Sequence, residues 1–232
     1  MRGVLGLLAG LVAMPAAAAI DTTAIDRGNF FPFGQPNSAT YGQTFVPGPA
    51  DGALTGFSLF LRGRSGGTGT LNLRGYVAEW DGSKAGTVLY TSDTRTMNAA
   101  GTQQEFAFTL SAPTVAGHSY VAFLSIADLV LQPRSLFGTP FTDNVIPGMF
   151  VFTNNGLNFG SLFTDDWQFV GVDDIFFKAS FDPAPPPPPP PGVPEPAAWS
   201  LMIAGFGATG LAMRRRKVSA GFTLGESRRG IQ

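Results

Sequence analysis

Alternation with a period of two dominates the middle of the chain. Phe57, Leu59 and Leu61 share one face with Ser58 and Arg62 opposite, and Leu71, Leu73 and Val77 oppose Asn72 and Arg74. Phe106, Phe108 and Leu110 alternate with Ala107 and Thr109; Tyr120, Ala122, Leu124 and Ile126 share a face. Phe150 and Phe152 repeat the pattern, and Ile175, Phe177 and Phe181 oppose Lys178 and Ser180. This spacing of aromatic and aliphatic residues predicts half-buried antiparallel strands. The expected strands are 42–46, 54–62, 69–80, 87–91, 104–110, 119–126, 148–153, 167–170 and 175–181. Turn signals fall between them, among them Pro47-Gly48-Pro49, Asp81-Gly82-Ser83, Ala116-Gly117 and Asn154-Asn155-Gly156. Short strands in this number predict an all-β fold, an antiparallel two-sheet β-sandwich of jelly-roll type over residues 20–182.

The two ends break this pattern. Arg2 precedes eleven apolar or glycine residues at 4–14, and Pro15 follows, then Ala16, Ala17, Ala18 and Ala19. A positive start, a short apolar run and small residues at alternate positions form the layout of a secretory signal peptide at 1–19. Signal peptidase is expected to use Ala17 and Ala19, leaving Ile20 first in the mature chain. At the other end, a proline-rich linker at 183–192 holds seven consecutive prolines, 185–191, and predicts an extended polyproline II rod. Seventeen uncharged residues follow at 197–213, then Arg214, Arg215, Arg216 and Lys217. Such a helix is about 26 Å long, slightly under the ~30 Å hydrocarbon core, and is expected to be a single transmembrane helix. The four cations should remain cytoplasmic, as should the tail at 218–232, leaving the body outside the cytoplasm.

Composition narrows the chemistry. The chain has 232 residues, no Cys, one His and 13% charged residues. Disulfides, thiolate metal sites, a cysteine nucleophile and multi-histidine metal sites are excluded. Residues 20–192 carry eight Lys and Arg against fourteen Asp and Glu, a net of −6, whereas residues 193–232 carry a net of +4. An acidic body is the reverse of a nucleic-acid binder, so no nucleic-acid partner is expected.

The lone His118 enters a strand from a turn, and no Gly-x-Ser-x-Gly elbow accompanies it, so an ordinary strand-edge histidine is the favoured reading. Glu79 and Glu105, the only glutamates in the body, and the adjacent pairs Asp165-Asp166 and Asp173-Asp174 are the candidate carboxylates for glycan hydrolysis. Asp165, Asp166, Asp173 and Asp174 concentrate oxygen ligands without EF-hand spacing. No cofactor is expected, with structural calcium at those four aspartates as the alternative. Tyr76 and Trp80 lie opposite the Leu71/Leu73/Val77 face, either as a stacking platform for sugars or as buried sandwich aromatics. Gly205-Phe206-Gly207-Ala208-Thr209-Gly210 matches the dinucleotide fingerprint but lacks the preceding strand and βαβ context that the chemistry needs.

Val193-Pro194-Glu195-Pro196, the apolar segment bearing Gly205-Phe206-Gly207, and the Arg214–Arg215–Arg216–Lys217 cluster occur in the order that resembles the PEP-CTERM protein-sorting signal, here 193–217. The resemblance implies a Gram-negative envelope protein handled by a membrane-embedded exosortase. It further implies that Val193, Pro194, Glu195 and Pro196 form the recognition motif and the four cations the stop-transfer cluster. One departure is the fifteen residues that continue past Lys217. Residues 69–91 and 116–125 are similar in pattern to secreted bacterial jelly-roll domains, some of them carbohydrate-binding. The expected function is therefore that of an exported, non-enzymatic envelope or extracellular-matrix component associated with exopolysaccharide. A lectin-like binding module is the alternative.

Overall fold

A computed structural model of the chain describes residues 19–36, 38–64, 69–98, 102–130, 132, 137–169, 171, 174–185 and 196–218. It divides into two compact units, 1–185 and 186–232. The expected signal helix, Ala17 included, lies outside the described residues, as do Asp173, the 186–192 part of the proline-rich linker, Val193, Pro194, Glu195 and the 219–232 part of the tail.

The first unit is built from strands β1 (Ala19–Asp21), β2 (Gly28–Phe33), β3 (Thr40–Phe45), β4 (Asp51–Gly63), β5 (Thr70–Trp80), β6 (Ala85–Thr91) and β7 (Arg95–Asn98). It continues through β8 (Gln103–Ala112), β9 (Tyr120–Ser125), β10 (Phe137–Thr142), β11 (Phe150–Thr153), β12 (Gln168–Phe169), β13 (Asp174–Ile175) and β14 (Phe177–Pro183). All pairings are antiparallel, in two seven-stranded sheets. One contains the row β2-β10-β4-β8 and the other the row β3-β9-β5-β6. Chain order switches between the sheets at eight of the thirteen strand-to-strand steps, so the two sheets form one sandwich. β14 pairs with the remainder of β4, β1 pairs with β14, and β11 and β12 extend the second sheet beyond β3.

Alternation explains the main core. Leu54, Phe57, Leu59 and Leu61 from β4, Phe106 and Phe108 from β8, and Phe177, Ala179 and Phe181 from β14 face Leu71, Leu73 and Val77 from β5 and Tyr120, Ala122 and Leu124 from β9. Aromatic pairs such as Phe57–Phe108, 4.8 Å between ring centroids, add geometric specificity to the area buried. The opposite face of β5 and β9 is also covered. A 3-10 turn, Phe159–Phe163, and Trp167 fold over it and make a second core with Tyr76, Ala78, Val121, Phe123 and Leu162. Tyr76 is 2% exposed and stacks on Phe123 at 4.9 Å. The stacking-platform expectation for Tyr76 is thereby corrected. The strand alternates regularly, but the segment that covers its outer face has no periodicity of its own.

The second unit contributes α1, Pro196–Val218. Proline suits its first position, where the missing N–H has no intrahelical partner to lose.

Candidate functional site

The residues singled out for chemistry are dispersed in the fold. Glu79 ends β5 in the second sheet, whereas Glu105 stands on β8 in the first, its carboxylate 3.8 Å from the Lys178 ammonium. They line different clefts, so the structure does not bring the two glutamates together.

The aspartates also separate. Asp174 is fully buried, and both of its oxygens are committed. Gln43 Nε2 donates to Oδ1 at 2.6 Å, while the backbone N–H groups of Val145 and Ile146 donate to Oδ2 at 2.7 and 3.0 Å. Gln43 Oε1 in turn accepts from the Ile175 N–H at 3.0 Å. The carboxylate thus fastens β3 of one sheet to β13 of the other, as expected of a buried charge that is retained only with its hydrogen bonds satisfied. Asp165 accepts from the Thr164 hydroxyl, and Asp166 lies 4.0 Å from Lys84 Nζ. Among the described residues no group of three His, Cys, Asp or Glu is placed to hold a metal ion.

One cleft does collect several of the singled-out groups. Glu79, Trp80, Asp81, Gly82, Gly86, His118, Ser119 and Tyr120 line a volume of about 380 Å³ between the β5–β6 hairpin and the turn that leads into β9. Local chemistry fixes both walls. Asp81 Oδ1 accepts from the N–H groups of Ser83 and Lys84, both at 2.8 Å, which tightens the hairpin. Those bonds, the Ser83 N–H first, hold the Asp81 carboxyl below the usual carboxylate range. Opposite, the Gly117 N–H donates to the Pro47 carbonyl and the Trp80 N–H to the Ser119 carbonyl, each at 3.0 Å. Gly117, at φ +79°, supplies the left-handed step of the turn that carries His118 into the cleft wall. Sequence reasoning treated Glu79, Trp80 and His118 separately. The signal that joins them is the β5–β9 register, in which Glu79 pairs with Tyr120.

The second unit presents a different surface. Trp199, Leu201, Ile203, Phe206, Leu211 and Met213 point outward around the whole circumference of α1, each at least half exposed. The one hydroxyl in its middle, Thr209, donates back to the Gly205 and Phe206 carbonyls at 2.7 and 3.1 Å and so needs no water. A side chain added at Gly205, Gly207 or Gly210 would meet nothing within 4 Å. Arg214, Arg215, Arg216 and Lys217 continue the same helix beyond the apolar stretch. Among the described residues no helix is long and apolar enough to cross a membrane. That bears on the expected span at 197–213. Seventeen residues fall short of the ~20 that a membrane helix needs, and glycine, serine and threonine dilute them.

Residues 192–217 match the family described as PEP-CTERM protein-sorting motif. No curated protein and no solved structure matches the chain. The motif indicates a protein sorted by an exosortase-type system, with export and membrane passage toward the cell envelope, and processing by an exosortase-like enzyme.

Proposed function

We propose that this chain is an exported, non-enzymatic component of the cell envelope or extracellular matrix of a Gram-negative bacterium, associated there with exopolysaccharide. The observation that carries the reading is the sorting motif at 192–217 behind a folded sandwich. The apolar, all-round exposed helix supports it. A helix without a polar face calls for an apolar environment on every side, and a bilayer supplies one. Its shortness and glycine content suit a transient seat, occupied while the processing enzyme acts, better than a permanent anchor. In the sequence Glu195 stands between Pro194 and Pro196, and a residue that precedes proline disfavours the helical region, which suits recognition by a membrane-bound enzyme.

The body supports the non-enzymatic part. Its two glutamates lie in separate clefts, and among the described residues the His118 side chain makes no hydrogen bond to a nucleophile or an orienting group. A second reading, a lectin-like module, draws on the cleft that joins Glu79, Trp80 and His118.

The test is the intact mass of the protein recovered from the envelope and medium fractions of its own host. Loss of residues 1–19 and of everything beyond about Pro196 is expected. A mature protein that keeps Arg214, Arg215, Arg216 and Lys217 would overturn exosortase processing and make the segment a plain anchor.

A further inference from the structure

We propose that the cleft between the β5–β6 hairpin and the 115–119 turn binds a neutral hexose unit of a polysaccharide, with Trp80 as the stacking ring and Glu79 and His118 as the groups that hold its hydroxyls. The choice of a polysaccharide rests on the matrix reading above; the site itself rests on the geometry.

Four observations carry it. First, a volume of about 380 Å³ lies within the range of small-molecule sites. Second, the walls are already rigid. The hairpin turn is bound by Asp81 and the opposing turn by the Pro47 and Ser119 carbonyls, so the walls need little ordering when a ligand enters.

Third, the hydrogen-bonding groups divide cleanly into structural and idle. Asp81 Oδ1 is committed to backbone N–H groups and its Oδ2 lies 3.6 Å from Lys84 Nζ. Glu79 and His118, both exposed, make no side-chain hydrogen bond or ion pair among the described residues. The two tryptophans of the sandwich body divide in the same way. Trp167 is buried and its indole N–H donates to the Leu162 carbonyl at 3.0 Å. Trp80 is half-buried, wedged edge-on against Trp167 at 5.5 Å, and lines the cleft. Its ring is therefore held in place without being used up.

Fourth, the floor is left open. A Cβ at Gly86 would stand 3.4 Å from the Glu79 Cβ and 3.7 Å from its carboxylate, and one at Gly82 would meet nothing. Glycine at both positions leaves the approach to Glu79 clear.

This combination fits a sugar ring. The apolar C–H face of a hexose suits an indole, and a carboxylate accepts two neighbouring hydroxyls in charge-assisted hydrogen bonds. Glu79 and Asp81 on one wall repel uronates, so the cleft selects neutral chains.

The experiment uses the full chain in a zwitterionic, non-glycosidic detergent, titrated calorimetrically with gluco-, galacto- and manno-hexaoses and with oligogalacturonate. Saturable binding to at least one neutral hexaose, and none to the uronate, is expected. Glu79→Gln and His118→Ala should each weaken it about tenfold. Both side chains are exposed and make no internal contacts that the fold requires, so these variants remain folded. Trp80→Ala should abolish binding but also thins the second core, so it is read only beside them. No binding to any neutral hexaose at 10 mM, or binding that both Glu79→Gln and His118→Ala leave unchanged, would overturn the site. Neither result touches the sorting reading, which stands or falls on the intact mass.

Discussion

Replacing Asp174 tests how the two sheets are held together. Its carboxylate accepts three hydrogen bonds at 2.6–3.0 Å and is fully buried, as is Gln43. Asp174→Ala strands the N–H groups of Val145 and Ile146 and leaves the Gln43 amide with only its 3.2 Å bond to the Thr44 carbonyl. One buried unsatisfied polar group costs about 1–3 kcal/mol, and the three cannot all relax to water. The expected loss is about 3–5 kcal/mol, the sum of two or three such penalties. Asp174→Asn keeps the shape but not the polarity. Its single carbonyl oxygen can serve either Gln43 or the Val145/Ile146 pair, and its amide hydrogens then face donors. Gln43 cannot turn to compensate, because its own oxygen is taken by the Ile175 N–H. A loss of about 2–3 kcal/mol is expected there. The assay is urea unfolding followed by fluorescence. With a slope of about 2 kcal/mol/M, Asp174→Ala should lower the midpoint by roughly 2 M. A loss under about 1 kcal/mol at unchanged slope would refute the donor count, and an Asn variant as stable as the parent would refute the polarity argument.

Thr22 is buried beside β14, where its hydroxyl donates to the Ile175 carbonyl at 2.7 Å and accepts from the Phe177 N–H at 2.8 Å. Thr22→Val should cost about 1–3 kcal/mol in the same unfolding assay, with Thr22→Ser recovering most of it. A Cβ at Gly148 would collide with the Thr44 carbonyl oxygen where β3 and β11 meet, so Gly148→Ala should lose about 2–3 kcal/mol in the unfolding midpoint. Burial raises the ionisation of the Tyr41 and Tyr76 hydroxyls well above the ordinary tyrosine range. Both should stay silent in an absorbance titration at 295 nm until the protein unfolds. Because the raised value belongs to the folded state, their contribution is complete below the ordinary range and is lost as pH climbs through and beyond it. Asp26 is held below the usual carboxylate range, first by its hydrogen bond from Arg62. Its contribution is present above that range and declines as pH falls below it, and Asp26→Asn should flatten that acid limb of the stability curve.

The alternating strands were legible because each side of the pattern is written locally. β4, β5, β8, β9 and β14 all fall where Phe, Leu and Val recur at every second residue. β2 and β10 were hidden by Pro32 and Pro140, which argue against a strand when only the local run is considered. In the fold these two strands pair with each other and fill one end of a sheet, where missing N–H donors are tolerated. β7, with one buried residue in four, carries too little pattern to register. Asp174 shows a deeper limit. The adjacent aspartates read as loop ligands, and nothing nearby announces that Gln43, 131 residues away, will bury one of them. The cleft was half legible. Glu79, Trp80 and His118 were each visible as residues, but their meeting depends on which strand lies beside β5, and no spacing encodes that.

The placement of the two ends of the body gives the proposed export route a physical order. β1 runs antiparallel to β14, with Ala19 opposite Ser180 and Asp21 opposite Lys178. The chain therefore enters this edge of the sheet next to the point where β14 leaves it, and the Ala184 N–H, bonded to the Ala50 carbonyl at 2.8 Å, pins that exit. Signal peptidase acting between Ala19 and Ile20 needs these residues extended and free, whereas the folded sheet holds Ile20 and Asp21 in register and buries Thr22. On the proposed topology, leader removal then precedes the docking of β1, and the closed edge follows it. The same closure fixes β14, the last strand before the proline-rich segment and the sorting motif in chain order. A body that completes its fold only after the first cut would thus reach the second processing step with its C-terminal strand already anchored.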